Sequence, residues 1–138
     1  MSVRRFLVMQ KKYFPVALKE IQRGRKNTHW IWFIFPQLRG LGQSSMSFYY
    51  GLDGVNETRR YFRNKMLRNN LLTITNALYN LKTFSITEVV GNVDAVKIQA
   101  CMTLFYVVTK EPIFKKVLKK FFHNQFHEKT LLMCQNIF

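Results

Sequence analysis

Cysteine, proline, glycine and acidic residues are all scarce in this chain of 138 residues. Its two cysteines, Cys101 and Cys134, do not make a disulfide framework, and no CxxC spacing indicates a zinc site. Both lie in apolar segments, so we expect buried, reduced thiols and an intracellular protein. With six glycines and three prolines, the sequence contains no repeat, linker or low-complexity tract.

Long apolar runs are also missing. The longest strongly apolar stretch, from Trp30 to Phe35, is far shorter than the roughly 20 residues that span a bilayer. The apolar run near the N-terminus is too short for a signal-peptide core, and Lys11 and Lys12 interrupt it. We therefore expect no secretory signal, no membrane span and no membrane partner.

Acidic residues number seven against 22 lysines and arginines, which gives a formal charge of +15. A charge of this size favours polyanionic partners such as nucleic acid or phosphorylated small molecules. An AT-rich genome is the alternative explanation, because it enriches lysine, asparagine, phenylalanine and isoleucine without selecting for binding. The charge alone leaves both explanations open.

Hydrophobic residues, in contrast, are abundant. They make up 48% of the chain, aromatic residues make up 15%, and 13 residues are phenylalanine, which excludes a disordered protein. A chain of this length fits one domain and buries roughly 68% of its unfolded surface. We expect residues 1–138 to form a single domain with a substantial core.

The N-terminal part of the chain predicts one long helix and one short element. Residues 4–23 carry apolar groups near the helical period, with Pro15 kinking or restarting the helix and Gly24 ending it. Residues 29–35, capped by Thr28, fit a buried helix as well as a strand. A segment this short does not decide between the two.

The rest of the chain predicts further helices with short connections. Asn56 suits the cap of one helix and Ser85 the cap of a short one, which Gly91 ends. Pro112 suits the first turn of a later helix. An apolar stripe predicts another; its residues are Leu67, Leu71, Ile74, Leu78 and Leu81. Residues 93–109 form the predicted central helix, with a core face of Val96, Ala100, Leu104 and Val107. We therefore predict an all-α, or nearly all-α, domain of five to seven helices.

One aromatic segment combines stacking faces with hydrogen-bonding groups. Its candidate site residues are Arg25, Lys26, His29, Trp30, Trp32 and Gln37. A base or a nicotinamide ring would stack on the indoles, while the two basic side chains would meet its phosphates. A core segment whose indoles fill space is the alternative.

The central helix carries a second group of candidates. Asp94 and Lys97 are three residues apart, so they share a helix face. Cys101 and, in part, Thr103 lie on the same face. A lysine in these apolar surroundings suits a base, or an amine that forms a Schiff base with a ring-opened ribose. A surface ion pair worth less than about 1 kcal/mol is the alternative.

Two basic clusters and a histidine pair are less informative. The clusters are Arg59, Arg60, Arg63, Lys65 and Arg68, and Lys115, Lys116, Lys119 and Lys120. A solvated helix face explains both, and so does binding to nucleic acid or to an anionic partner surface. His123 and His127 lack an HExxH context and a third ligand, so we predict no metal site. Walker A, GxGxxG and GxSxG motifs are absent, and we predict no cofactor.

A set of short motifs extends over nearly the whole chain. It comprises Gly24-Arg25-Lys26, His29-Trp30, Phe35-Pro36-Gln37, Gly40-Leu41-Gly42, Ser44, Asp94, Lys97, Thr103-Leu104-Phe105 and Phe114 through Leu118. This set resembles the family of unknown function numbered 1810, which implies a compact, mainly helical domain. The chain departs from that family at Ala100 and Cys101, where paired serines are usual.

The aromatic segment followed by a lysine-bearing helix resembles, more distantly, the NADAR enzymes, which act on ADP-ribose N-glycosidic bonds. The analogy implies that Lys97 attacks or polarises a ribose and that Asp94 orients it. It also implies that His29, Trp30 and Trp32 hold the base.

Two functional hypotheses result. In the first, the chain binds or hydrolyses an ADP-ribose-like or other nucleotide-derived small molecule, with Lys97, Asp94 and His29 as catalytic candidates. Its ligand-binding candidates are Arg25, Lys26, Trp30, Trp32, Gln37 and Thr103. This hypothesis predicts one concave pocket lined by His29, Trp30, Gln37, Asp94 and Lys97. In the second, the chain is a non-catalytic basic module that binds nucleic acid or an acidic protein.

Overall fold

The computed structural model describes residues 2–135, which contain eight α-helices. They are α1 (Arg4–Gln22), α2 (Ile31–Ile34), α3 (Ser45–Tyr49), α4 (Gly54–Arg63), α5 (Lys65–Tyr79), α6 (Ile86–Thr109), α7 (Pro112–Phe121) and α8 (Glu128–Gln135). These residues contain no β-strand, only an isolated bridge between Leu38 and Leu52. The all-α prediction is confirmed. The helix count exceeds the predicted five to seven, and α2 and α3 are each about one turn long.

The first helix continues through its proline. Pro15 lies inside α1, so the predicted restart of the helix does not occur. Gly24 follows the helix with a φ of 79°, and the Arg25 N–H donates to Glu20 O at 3.0 Å. Glycine adopts this left-handed conformation without a steric penalty, so the predicted helix end is confirmed.

The ambiguous aromatic segment forms the single turn α2. Trp30 occupies the position before its first residue and makes no side-chain cap. The prediction that Thr28 caps this element is wrong, because the Thr28 hydroxyl and N–H both donate to the Glu20 carboxylate, at 2.7 and 3.0 Å.

The fourth helix begins before its predicted cap. Asp53 precedes the first residue of α4, so Asn56 lies in the first turn, where its Oδ1 accepts a hydrogen bond from Arg59. The Glu57 carboxylate accepts the Asp53 N–H at 2.7 Å. The prediction that Asn56 caps this helix is therefore wrong.

Three other predicted helix signals are confirmed. The Ser85 hydroxyl accepts the Glu88 N–H at 3.3 Å and caps α6. Gly91 interrupts the regular helix with a φ of 84° and a ψ of 168°, although α6 resumes after it. Pro112 lies in the first turn of α7.

The predicted core face of the central helix α6 is confirmed in part, because Ala100 and Leu104 are fully buried. Val96 is 52% exposed, whereas its neighbours Ala95, Ile98 and Met102 are buried. The helices α4, α7 and α8 all pack against α6. Apolar residues therefore occur on several of its sides, and their spacing does not define which side faces the core.

The core lies between two groups of helices. The helix α1 packs against α2 and α5, the helix α6 packs against α4, α7 and α8, and α5 contacts α7. The largest buried side chains include Trp30, Phe6, Tyr61, Phe105 and Phe114. Cys101 and Cys134 are buried and unpaired, as predicted.

A buried ion pair joins α1 to α4. Two guanidinium nitrogens of Arg5 donate to the two carboxylate oxygens of Glu57, at 2.8 and 2.9 Å. The same guanidinium donates to the carbonyls of Tyr49 and Gly51, at 2.8 and 2.9 Å. Burial alone would raise the pKa of Glu57, but the hydrogen bonds from Arg5 and from the Asp53 N–H lower it overall. The pair is therefore charged, and it holds the chain around α3 against α1.

We expect Arg5→Met to destabilise the protein more than Arg5→Met combined with Glu57→Leu. The single change leaves a buried carboxylate without its partner, which costs about 3 to 5 kcal/mol in free energy of unfolding. The double change removes both charges, so its cost is smaller. Urea denaturation of the wild type and the two variants measures the difference. Equal destabilisation by the single and double changes would contradict this account.

Candidate functional site

The Glu20 carboxylate anchors the segment that leads into the candidate site. It accepts the N–H groups of Asn27 and Thr28 at 2.8 and 3.0 Å, and the Thr28 hydroxyl at 2.7 Å. The Trp30 indole N–H donates to it at 2.9 Å. Burial acts to raise the pKa of Glu20, but these hydrogen bonds lower it to about 2. Residues 27–30 are therefore fixed to α1 by a charged side chain.

Three charged side chains meet between this segment and α6. Lys26 Nζ lies 2.9 Å from Asp94 Oδ2, and Lys97 Nζ lies 3.7 Å from Asp94 Oδ1. The Lys26 N–H also donates to Val89 O at 2.7 Å, and its ammonium lies 5.0 Å from the centre of the Trp30 ring. Two ammonium groups share one carboxylate, and the shorter contact belongs to Lys26. The cluster therefore keeps an excess positive charge on the side of Lys97.

A cleft of about 550 Å³ opens beside Lys97. The chain around α2, the loop before α3, the middle of α6 and the start of α8 all contribute to it. Its polar lining residues are Gln37, Gln43, Ser44, Ser47, Lys97, His127 and Lys129, and its main apolar ones are Trp32, Leu41, Val93 and Val96. None of the described residues that line the cleft is acidic.

Close packing shapes the loop on one side of the cleft. A Cβ at position 42 would lie 2.3 Å from the Ser47 Oγ, so Gly42 allows the loop to approach α3. The Ser44 Oγ accepts the Ser47 N–H at 3.1 Å and caps α3. Both serines lie at the cleft as a result.

His127, the residue that precedes α8, lies on the opposite side of the cleft. Its Nδ1 accepts the Thr130 N–H at 3.3 Å, so the network assigns the ring proton to Nε2. The His127 N–H donates to the Thr103 Oγ1 at 2.9 Å, and the Thr103 hydroxyl donates to Gln99 O at 2.8 Å. Burial, together with the nearby charge of Lys129, lowers the pKa of His127. At neutral pH the ring is therefore an uncharged N–H donor.

Comparison with known proteins assigns this chain to a family. The profile described as "Protein of unknown function (DUF1810)" matches residues 1–134. The chain belongs to the DUF1810 family. It is also similar to the crystal structure of the conserved hypothetical protein Rv1873 from Mycobacterium tuberculosis, with a TM-score of 0.94 and 31% identity over 96% of each chain. No curated protein matches the chain.

In this DUF1810 protein, three of the sequence-predicted site residues line the cleft: Trp32, Gln37 and Lys97. Asp94 and Lys26 lie next to them in the ion cluster, with side chains that are 17% and 7% exposed. The fold thus brings the aromatic segment and the central helix together.

Two other predicted ligand-binding residues are internal. Trp30 is fully buried, and its indole N–H is bound to Glu20. Thr103 is also fully buried, and its hydroxyl connects His127 to α6. Neither side chain reaches the surface of the cleft.

The remaining predicted residues, Arg25 and His29, are exposed and do not line the cleft. The predicted single pocket therefore contains Gln37 and Lys97, with Asp94 beside them, but not His29 or Trp30. The cause is the burial of Trp30, which turns the neighbouring His29 outwards.

Several cleft residues were not among the sequence-based candidates. Ser47 and Gln43 lie near the Gly40-Leu41-Gly42 motif, which was the one signal that could have indicated them. His127 was considered only as a metal ligand, and Lys129 is not distinguishable among the other lysines. Residues 2–135 contain no group of three or more His, Cys, Asp or Glu placed to hold a metal ion. No described helix is long and apolar enough to cross a membrane.

We expect acidification to loosen α8 through His127. Its pKa is lowered in the folded state, so the stability that the neutral ring contributes is present above pH 6.5 and is lost as the pH falls below that value. His127→Asn keeps an acceptor for the Thr130 N–H and should remove part of this pH dependence. Hydrogen exchange of α8 amides at about pH 7.5 and 5.5 measures the effect.

The matched control is His123→Asn. His123 is exposed and has a φ of 54°, which asparagine also tolerates. This control should leave the pH dependence of α8 exchange unchanged. An identical response in both variants would show that His127 does not couple α8 to pH.

Proposed function

We propose that the cleft binds a small, phosphorylated, nucleotide-derived molecule of the ADP-ribose type. The observation that carries the proposal is the convergence of Trp32, Gln37 and Lys97 on one concave site without an acidic lining residue. The volume of the cleft falls in the range of about 300 to 1,000 Å³ that is usual for small-molecule sites.

The charge of the cleft supports an anionic ligand. Lys97 and Lys129 both line it, and the nearest carboxylate, Asp94, makes its shorter ion pair with Lys26. An ammonium group inside a concave, partly dry surface attracts a phosphate more strongly than one in open solvent. The serine hydroxyls at the N-terminal end of α3 add neutral hydrogen-bond donors for the other oxygens of the phosphate.

The apolar lining supports a ligand that also carries a ring. Trp32 is half-buried and keeps part of its indole at the cleft, while Val93 and Val96 are 71% and 52% exposed at its edge. Aromatic and aliphatic faces of this kind bind a base or a nicotinamide ring by stacking. The Gln37 amide offers a donor and an acceptor to the polar edge of such a ring.

The same groups suit hydrolysis of an N-glycosidic bond, in which water adds to the ribose C1′ and the base leaves. In this proposal, Lys97 donates a hydrogen bond that orients a ribose hydroxyl, and Asp94 orients the Lys97 ammonium. The His127 Nε2–H is a further donor on the opposite side of the cleft. NAD and ADP-ribosylated nucleosides are the substrates to test.

We expect ADP-ribose and ribose 5-phosphate to raise the melting temperature, and adenosine, which lacks phosphate, to have little effect. At about 100 times Kd, a ligand adds about 2.7 kcal/mol to the free energy of unfolding, which corresponds to a shift of several degrees. Lys97→Met should weaken binding about 10-fold or more, because it removes a charged hydrogen bond. Thermal denaturation followed by calorimetric titration measures both.

Lys116→Met is the matched control, since Lys116 is exposed on α7 and does not line the cleft. It removes the same charge and should leave the affinity within a factor of about two. Equal loss in both variants, or no thermal shift with any of the three ligands, would contradict the proposal. Chromatography of the NAD incubations then shows whether free nicotinamide is released by the wild type and not by Lys97→Met.

A further inference from the structure

A second positively charged depression lies away from the cleft. It is a groove of about 440 Å³ between the end of α4, the start of α5 and the end of α6. Its lining residues are Arg59, Phe62, Arg63, Arg68, Val108 and Thr109. We call it the arginine groove.

The three guanidinium groups of the groove have no carboxylate partner among residues 2–135. Within residues 2–135 the only ion pairs involve other cations. Arg59 donates to the neutral Asn56 side chain at 3.2 Å, and Arg63 makes no side-chain hydrogen bond or ion pair in this part of the chain. Arginines that converge without a counter-charge repel one another, and a bound anion removes that repulsion.

One of the three arginines is held in position by the backbone. The Arg68 Nη1 donates to the carbonyls of Phe62 and Arg63, at 3.2 and 3.3 Å, at the C-terminal end of α4. Among the described residues, its Nε and Nη2 atoms have no acceptor. A guanidinium fixed on one side and unsatisfied on the other is arranged to bind the paired oxygens of a phosphate.

The floor of the groove is apolar and rigid. The Phe62 ring packs against the rings of Phe105 and Phe114, each with a centroid distance of 6.1 Å. Val108 lies beside it on α6. Charged walls above an apolar floor suit a ligand that alternates phosphates with less polar sugar or base groups.

The charge continues beyond the groove. Arg60 and Lys65 are exposed on either side of the junction between α4 and α5. No aspartate or glutamate occurs in the sequence between Glu57 and Glu88. Several positive charges grouped in this way are complementary to a polymer with regularly spaced negative charges, rather than to a single small anion.

We propose that the arginine groove binds the phosphodiester backbone of a nucleic acid. The groove shares no lining residue with the cleft. Both are built on α6, where Lys97 and Val108 are separated by about 16 Å along the helix axis. The two proposals are therefore independent, and either can fail without the other.

Arg59→Gln combined with Arg63→Gln tests the proposal. Both side chains lie at the surface and neither forms an ion pair with a described residue, so the double variant should fold, which circular dichroism and thermal denaturation verify. The probes are labelled single-stranded and duplex DNA of about 20 nucleotides, measured by fluorescence anisotropy at about 50 and 200 mM salt. We expect the double variant to bind DNA about 10-fold more weakly at the lower salt. The slope of log K against log salt concentration should become shallower by about two, one for each arginine removed.

The matched control is Lys116→Gln combined with Lys119→Gln. These exposed lysines of α7 carry the same two charges and lie outside the groove. The control should weaken binding by less than about threefold, and Lys97→Met should leave it unchanged. This pattern with either form of DNA supports the proposal.

Four results would overturn it. The first is the absence of binding to both DNA forms at the lower salt. The second is equal weakening by the two double variants, which would mean that the overall charge, not the groove, attracts DNA. The third is loss of binding in Lys97→Met, which would place the DNA in the cleft. The fourth is displacement of DNA by polyglutamate at equal charge concentration, which would indicate an acidic protein as partner.

Discussion

The arrangement of the cleft depends on one buried carboxylate. Glu20 accepts hydrogen bonds from two backbone N–H groups, a hydroxyl and the Trp30 indole, and it thereby fixes the segment between α1 and α2. That segment places Lys26 against Asp94, and it continues directly into Trp32. A carboxylate with this many donors remains charged in the interior because each donor repays part of its lost hydration. The contact between the aromatic segment and α6 therefore depends on the Glu20 carboxylate.

Much of the fold was predictable because local signals and the final structure agree. The Ser85 cap, the break at Gly91 and Pro112 in the first turn of α7 all occur where the sequence indicates them. The buried face of α6 was predictable only in part. Ala100 and Leu104 are buried as predicted, but helices surround α6, and the exposed Val96 is as apolar as its buried neighbours. The predicted cap at Asn56 is wrong because the helix begins two residues earlier, at Gly54, so Asn56 lies in its first turn.

The candidate site was predictable only in part. Gln37 and Lys97 meet in the cleft, as the motif pattern suggested, but Trp30 is withdrawn into the core by a glutamate ten residues earlier. Neither the local residue spacing nor the composition predicts the hydrogen bond between Trp30 and Glu20. His127 and Lys129 reach the cleft because α8 folds back against α6, which is a tertiary contact without a local signature.

The buried thiols give the protein two internal reporters of motion. Cys101 lies in the middle of α6, and Cys134 lies in α8, the helix that follows His127. Burial raises the pKa of both thiols, so neither reacts with an alkylating reagent while its helix is in place. Labelling of Cys134 would therefore follow the detachment of a peripheral helix, whereas labelling of Cys101 would follow the opening of the whole core. The two labelling rates, measured on one sample of the wild-type protein, would separate local from global unfolding.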